Sequence, residues 1–155
     1  MATRMLLVGI GNPYRSDDRV GLLVIQMLKS KQLPGITCIE HNGDGADLLE
    51  IMAQAERVIL IDAVKSGVVP GTIHRFDMHT TWWPSAMTFI SSHAFGVGEA
   101  IQLARAIKQL PAYLLIYGIE CSNFGTGTVL SPVVEQAVPG VVDLILEDIQ
   151  ASTLR

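Results

Sequence analysis

Cysteine is scarce in this chain of 155 residues: Cys38 and Cys121 are the only two. Two cysteines make no disulfide framework, and they suit a reducing compartment. Charged residues are few, at 17%, and aromatic residues fewer, at 6%. So little charge excludes a disordered polyelectrolyte and a charged coiled coil. Eleven basic residues against 15 acidic ones leave a formal net charge of −4. That balance argues against a phosphate-binding face, so no nucleic-acid partner is expected. No apolar run approaches the roughly 20 residues that cross a bilayer, so no membrane role is expected either. The apolar run Met5 to Ile10 is short and leads straight into Asn12-Pro13. It does not read as a secretion signal, and a cytoplasmic protein is expected. Internal repeats, low-complexity tracts and long linkers are also missing, so residues 1–155 read as a single domain. What the chain has in quantity is apolar residues, 49% of the total. At this length they suffice for a packed core without cross-links.

Those apolar residues fall into short runs separated by helical patterns. Strands are expected over Arg4 to Ile10, Ile36 to Glu40, Arg57 to Ala63 and Ala112 to Ile119, with an edge strand over Thr72 to Phe76. Helices are expected over Asp17 to Lys31, Asp47 to Ala55 and His93 to Gln109. Ser131-Pro132 opens a last helical region, which Pro139 is expected to break into a short turn and a helix from Gly140 to Ser152. Asp77 to Ser92 and Glu120 to Leu130 read as irregular. Alternating strands and helices imply an α/β protein whose mostly parallel sheet is covered on both faces. Ligands then bind beyond the carboxyl ends of the strands. The residues to inspect follow Ile10, Glu40, Ile61 and Ile119.

Gly9-Ile10-Gly11-Asn12-Pro13-Tyr14 approaches the dinucleotide fingerprint but lacks its third glycine. Two carboxylates, Asp17 and Asp18, stand where a pyrophosphate would sit and would repel it. Acids at a helix start also complement the dipole and cap free N–H groups, which explains one of the pair. The other is free to face the crevice. Asp62 ends the run Val58 to Ile61, and an ionised carboxylate there needs a hydrogen-bond network, a partner or a metal. A loop cap is the plainer account of it. His93 follows Ser91-Ser92 and reads as a surface or capping histidine, or as a ligand. His41 is expected near the same crevice, His74 exposed on the edge strand and His79 in a loop. Asp18, Asp62 and His93 share no local spacing motif. Brought together by the fold, two carboxylates and one imidazole suit a borderline divalent ion such as zinc or nickel. Trp82-Trp83-Pro84 lies in the long irregular stretch and roofs the core or walls a peptide site. Neither HExxH nor GxSxG is present, and neither cysteine lies in a nucleophile motif.

The chain resembles the nickel–iron hydrogenase maturation endopeptidases. The matching pieces are LLVGIGNPYRSDDRVG (Leu6 to Gly21), NGDGADLL (Asn42 to Leu49), LIDAV (Leu60 to Val64), PGTIHRF (Pro70 to Phe76), SSHAFGV (Ser91 to Val97), GIE (Gly118 to Glu120) and LSPVV (Leu130 to Val134). They run in order through nearly the whole chain. The resemblance implies a three-layer αβα sandwich of the phosphorylase/hydrolase-like kind, with a five-stranded, mainly parallel sheet. It implies a metal-dependent endopeptidase that removes a short C-terminal peptide from the nickel-loaded large-subunit precursor. The family's metal-contacting positions fall on Asp18, which is Glu in some members, Asp62 and His93. The nickel is then carried by the substrate, and zinc or another divalent ion is the alternative as the protein's own or surrogate metal. Arg19 stands where many relatives have glycine or a small residue, and Ser92 where proline is common. Glu40 to Asp44 differs from the Asp-Gly-Gly-Thr form of some relatives. Two other readings remain at this point. One is a nickel-binding or large-subunit chaperone that does not cut. The other is a peptidyl-tRNA hydrolase, which shares the Gly9 to Pro13 opening but would need a histidine soon after it.

Overall fold

A computed structural model describes residues 5–90 and 93–153. The expected strand start at Arg4, and Ser91 and Ser92, lie outside the described residues. Three strands form the centre: β1 (Met5–Ile10), β3 (Arg57–Lys65) and β6 (Tyr113–Glu120). Their side chains alternate between two cores. Met5, Leu7, Ile59, Ile61, Leu115 and Tyr117 face one side, where they pack against α1 (Val20–Ser30) and α4 (Pro132–Thr153). Leu6, Val8, Val58, Leu60, Leu114 and Ile116 face the other, against α2 (Gly45–Ala53) and α3 (Val97–Ala106). Each fully buried Leu, Ile or Val contributes about 1.5–3 kcal/mol of transfer free energy, so both cores draw on nearly every residue of these strands. The unbroken apolar runs are the direct consequence of a sheet covered twice.

The strand order is β2-β1-β3-β6-β4, where β2 is Ile36–His41 and β4 is Ile73–Asp77. β1, β2, β3 and β6 are parallel, and β4 pairs antiparallel with β6 along the edge. The expected layered fold with its five-stranded, mainly parallel sheet is what the structure has. A sixth strand of two residues, β5 (Thr88–Phe89), pairs antiparallel with Val64 and Lys65 of β3. Among the described residues no helix is long and apolar enough to cross a membrane.

Helix α1 packs unusually close to the sheet at Gly21. A Cβ there would sit 2.2 Å from the Ile10 carbonyl oxygen and 2.7 Å from that of Ile61. Gly21 thus provides the close helix–strand approach that Tyr14 cannot.

Four boundaries depart from the sequence expectation. The expected helix from Asp17 begins instead as a 3-10 turn, Ser16–Arg19, and α1 follows it. Helix α3 starts at Val97, so His93 lies in an irregular segment and not at a helix start. Glu99 Oε1 accepts the Gly96 N–H at 2.9 Å and sets that start. Strand β3 runs on past the expected end at Ala63 to Lys65, with β6 beside it as far as Val64. Helix α4 passes through Pro139 unbroken. Pro139 lies on the exposed side, where water can solvate the Glu135 carbonyl that loses its N–H partner. The buried stripe Val134, Val138, Val141, Val142 and Ile145 holds both halves of that helix on the sheet.

Candidate active site

The chain leaves β1 for β2 on one side, while β3 lies on the other, so the carboxyl ends of β1 and β3 form the switch point of the sheet. β1 pairs with β3 as far as Gly9 opposite Ile61, and β5 joins only at Val64. Asp62 falls in the gap. It pairs with Gly118 of β6 on one side and has no β1 residue opposite it on the other. Asp18 reaches the same end of the sheet from the 3-10 turn after β1. That turn is tight: the Asp18 carbonyl accepts the Asn12 N–H at 3.1 Å, and a Cβ on Gly11 would lie 2.2 Å from the same oxygen.

Four acids at this rim are buried: Asp17 and Asp62 are 0% exposed, Glu120 1% and Asp18 4%. Their surroundings divide them. The Asp17 carboxylate accepts the N–H groups of Ser122 (3.2 Å), Asn123 (2.9 Å) and Ser131 (2.7 Å) and the Ser131 hydroxyl (2.9 Å). Asp17 therefore ties the β6–α4 loop and the start of α4 to the β1–α1 turn. It is not a cap of α1. Glu120 accepts the Ser66 N–H (2.8 Å) and hydroxyl (2.6 Å) and the Gly67 N–H, and bonds His74 Nε2 at 3.0 Å. Burial alone would raise the Glu120 pKa, but these donors outweigh it and hold the carboxyl below its ordinary value.

Asp18 Oδ1 and Asp62 Oδ2 are buried without a hydrogen-bond partner. Asp62 accepts only the Ala63 N–H, at 2.8 Å through Oδ1. Burial pushes the Asp18 carboxyl up to about 7, against the opposing charge of Arg15. Burial, and then the charge of Asp18, push Asp62 well above the carboxylate range, with the Ala63 N–H opposing. Two buried acids, both with raised proton affinity and each with an unbonded oxygen, form a site built for a proton or a cation.

Of the three residues expected to meet, the structure thus couples Asp18 and Asp62. His93 is half-buried in the segment ahead of α3. Among the described residues no three His, Cys, Asp or Glu side chains are grouped as metal ligands. The segment carrying His93 is held on the α2–α3 side, where the Phe95 carbonyl accepts the Gly45 N–H at 2.8 Å. Leu60, two residues before Asp62, faces that same side.

The other histidines have fixed partners. His41 bonds Asp47 through Nε2 at 2.7 Å and accepts the Gly43 N–H through Nδ1 at 2.9 Å. It lines a cavity of about 420 Å³ with Gly11, Arg19, Glu40 and Asp47, beside the Asp18 turn, as its place after β2 suggests. His79 donates to the Pro111 carbonyl at 2.7 Å. His74 is not exposed as expected: its side chain is half-covered against Glu120. Arg19 donates to the Thr128 carbonyl and so ties down the β6–α4 loop. Cys121 is buried at the end of β6, and burial followed by the surrounding acids raises its thiol pKa, which leaves it no nucleophile. Sequence reasoning missed the role of Glu120. The signal was present, since Glu120 ends an apolar run just as Asp62 does.

A layered α/β sheet whose switch point holds two acids, each with an unbonded oxygen, and which has no activated serine or cysteine among the described residues has the architecture of an acid- or cation-assisted hydrolase. The model of the family described as hydrogenase maturation protease matches residues 23–148, a span that includes Asp62 and His93 and begins just after Asp18. The chain belongs to the hydrogenase maturation protease family, and it is an endopeptidase of that family. The Hydrogenase 2 maturation protease of Escherichia coli K12 is 26% identical over 153 residues, covering 96% of this chain and 92% of that protein. The hydrogenase expression/formation protein HupD of Thiocapsa roseopersicina is 24% identical over 148 residues, and the chain spans 66% of its length. In fold, the chain is similar to the hydrogenase maturating endopeptidase HybD from Escherichia coli, with a TM-score of 0.77 at 22% identity, over 96% of this chain and 93% of that one. The match is to a protease family and supports neither the chaperone nor the peptidyl-tRNA hydrolase reading.

Proposed function

We propose that this endopeptidase removes a short C-terminal peptide from the nickel-loaded precursor of a nickel–iron hydrogenase large subunit, in the cytoplasm. In this reading Asp18, Asp62 and His93 engage the nickel that the substrate brings. The observation that carries it is the pair of buried carboxylate oxygens, on Asp18 and Asp62, that have no hydrogen-bond partner among the described residues. Leaving such atoms bare costs about 1–3 kcal/mol each, and a divalent cation removes that cost by displacing the proton the pair otherwise holds. The family assignment supports the hydrogenase as client.

Hydrolysis of the peptide bond needs a water deprotonated, its oxygen bonded to the scissile carbonyl carbon, and a proton delivered to the departing amine as the C–N bond breaks. The nickel polarises that carbonyl or lowers the pKa of a bound water. A carboxylate that holds the ion through one oxygen keeps the other free to take up the water's proton and pass it to the departing amine, a part open to Asp18 or Asp62. His93 would complete the set with the Asp18–Asp62 pair, which gives an O/O/N donor set with positions left for substrate. Cleavage then waits for nickel because the unloaded precursor brings no cation to displace the proton that the pair holds.

The test is mass spectrometry of nickel-loaded and nickel-free precursor before and after incubation with the protein. Loss of the tail from the loaded form alone is expected. Equal cleavage of both forms would refute nickel recognition, and an intact loaded precursor would refute the peptidase role.

A further inference from the structure

The chain has two tryptophans and few aromatics, yet both tryptophans and Phe89 converge on one place. Trp82 and Trp83 stack at 4.3 Å, Trp83 meets Phe89 edge-on at 5.0 Å, and the Arg105 guanidinium lies 4.5 Å over Trp82. They wall a cavity of about 440 Å³ whose floor includes Met87, Val97 and Gly98. That volume suits a small apolar group.

Thr88 and Phe89, which line this cavity, are also β5. β5 takes up the position beside β3 that β1 has vacated, two residues beyond Asp62. It pairs with β3 along one edge, and among the described residues no strand pairs with its other edge. In an antiparallel ladder successive residues point their polar groups to opposite sides. The Ile90 N–H points to the Ala63 carbonyl, so the N–H and C=O of Phe89 point away from β3. Backbone groups there and an aromatic cavity beside them match an extended peptide, which gains affinity from strand addition and specificity from a side-chain pocket.

We propose that β5 and the Trp83–Phe89 cavity are the substrate subsite: the extended segment of the precursor next to the scissile bond adds to the open edge of β5 and places an apolar side chain in the cavity. This rests on the proteolytic reading above and adds to it a residue class that the site selects. Gly98 offers the probe. A Cβ built on it lies 3.5 Å from Phe89 and 3.6 Å from Trp83, in ordinary contact, so a longer side chain there extends into the space that these rings wall.

Gly98→Leu is therefore expected to lower kcat/KM on nickel-loaded precursor by about tenfold or more, chiefly through KM, with the melting temperature kept. In the wild type, replacing the apolar precursor residue nearest the cut by Asp should have an equal effect, and in Gly98→Leu that replacement should add little. Because both tryptophans line the site, a tryptophan-free peptide spanning the cut should shift the emission of the unaltered protein. Wild-type kinetics in a folded Gly98→Leu, or unchanged emission with a peptide that competes for cleavage, would overturn the subsite and leave the peptidase reading standing. A wild type that leaves the loaded precursor intact would overturn both.

Discussion

Two pairs of buried acids share one rim of the sheet and have opposite surroundings. Asp17 and Glu120 are each met by several donors, whereas Asp18 and Asp62 each keep an oxygen with no partner. Burial is equally deep in both pairs, so burial does not separate them. Donor count does. A carboxyl with three or more donors serves as a fastener, and one without them stores unfavourable free energy until a proton or cation arrives. The fasteners hold the loops, and the unbonded pair is left for chemistry.

Exchanging acids for amides tests this division most strongly. Asp18→Asn and Asp62→Asn should each reduce precursor processing by about 10²–10³-fold, while thermal melts show a protein as stable as the parent or more so. Processing at the parent rate in both would end the distinction. Asp17→Ala should behave in the opposite way. It strands the N–H groups of Ser122, Asn123 and Ser131, and urea unfolding should register a loss of about 2–4 kcal/mol. Glu120→Gln keeps the shape but weakens the bonds to Ser66 and His74, with an expected loss of about 1–2 kcal/mol at neutral pH.

Titration sharpens the contrast further. Asp18 is raised to about 7 in the folded chain from 3.8. Between those values the folded state binds the extra proton, so stability falls as pH rises from about 4 and levels off above 7. Asp18→Asn should remove part of that fall, gaining about 1 kcal/mol over the parent at pH 8 and nothing at pH 4. Glu120 is lowered, so its contribution is present at neutral pH and is lost as pH falls through its folded value. Melting temperature against pH for the metal-free proteins separates the two slopes. A parallel pH dependence of parent and Asp18→Asn would show that Asp18 is not the group responsible.

Much of this architecture was readable from residue order. Strands buried on two faces leave continuous apolar runs, and Asp62 stands out because an acid interrupts one. Asp18 was readable as the second of two acids where one cap suffices. The role of Asp17 was hidden because its partners, Ser122 to Ser131, lie more than 100 residues away. The start of α3 was misread because apolar periodicity runs back toward His93, and only the Gly96–Glu99 contact ends it. β5 has two residues, too few for any alternation to show. Pro139 was read as a break because the sequence does not say which way its side of the helix faces.

The 3-10 turn between β1 and α1 has a further consequence. Three residues per turn set neighbours roughly 120° apart, so two adjacent aspartates look in divergent directions. One inserted or deleted residue between Pro13 and Ser16 would swing each acid into its neighbour's direction, spoiling the tether and the reaction centre together. The length of that connection is therefore as tightly fixed as the two acids it carries.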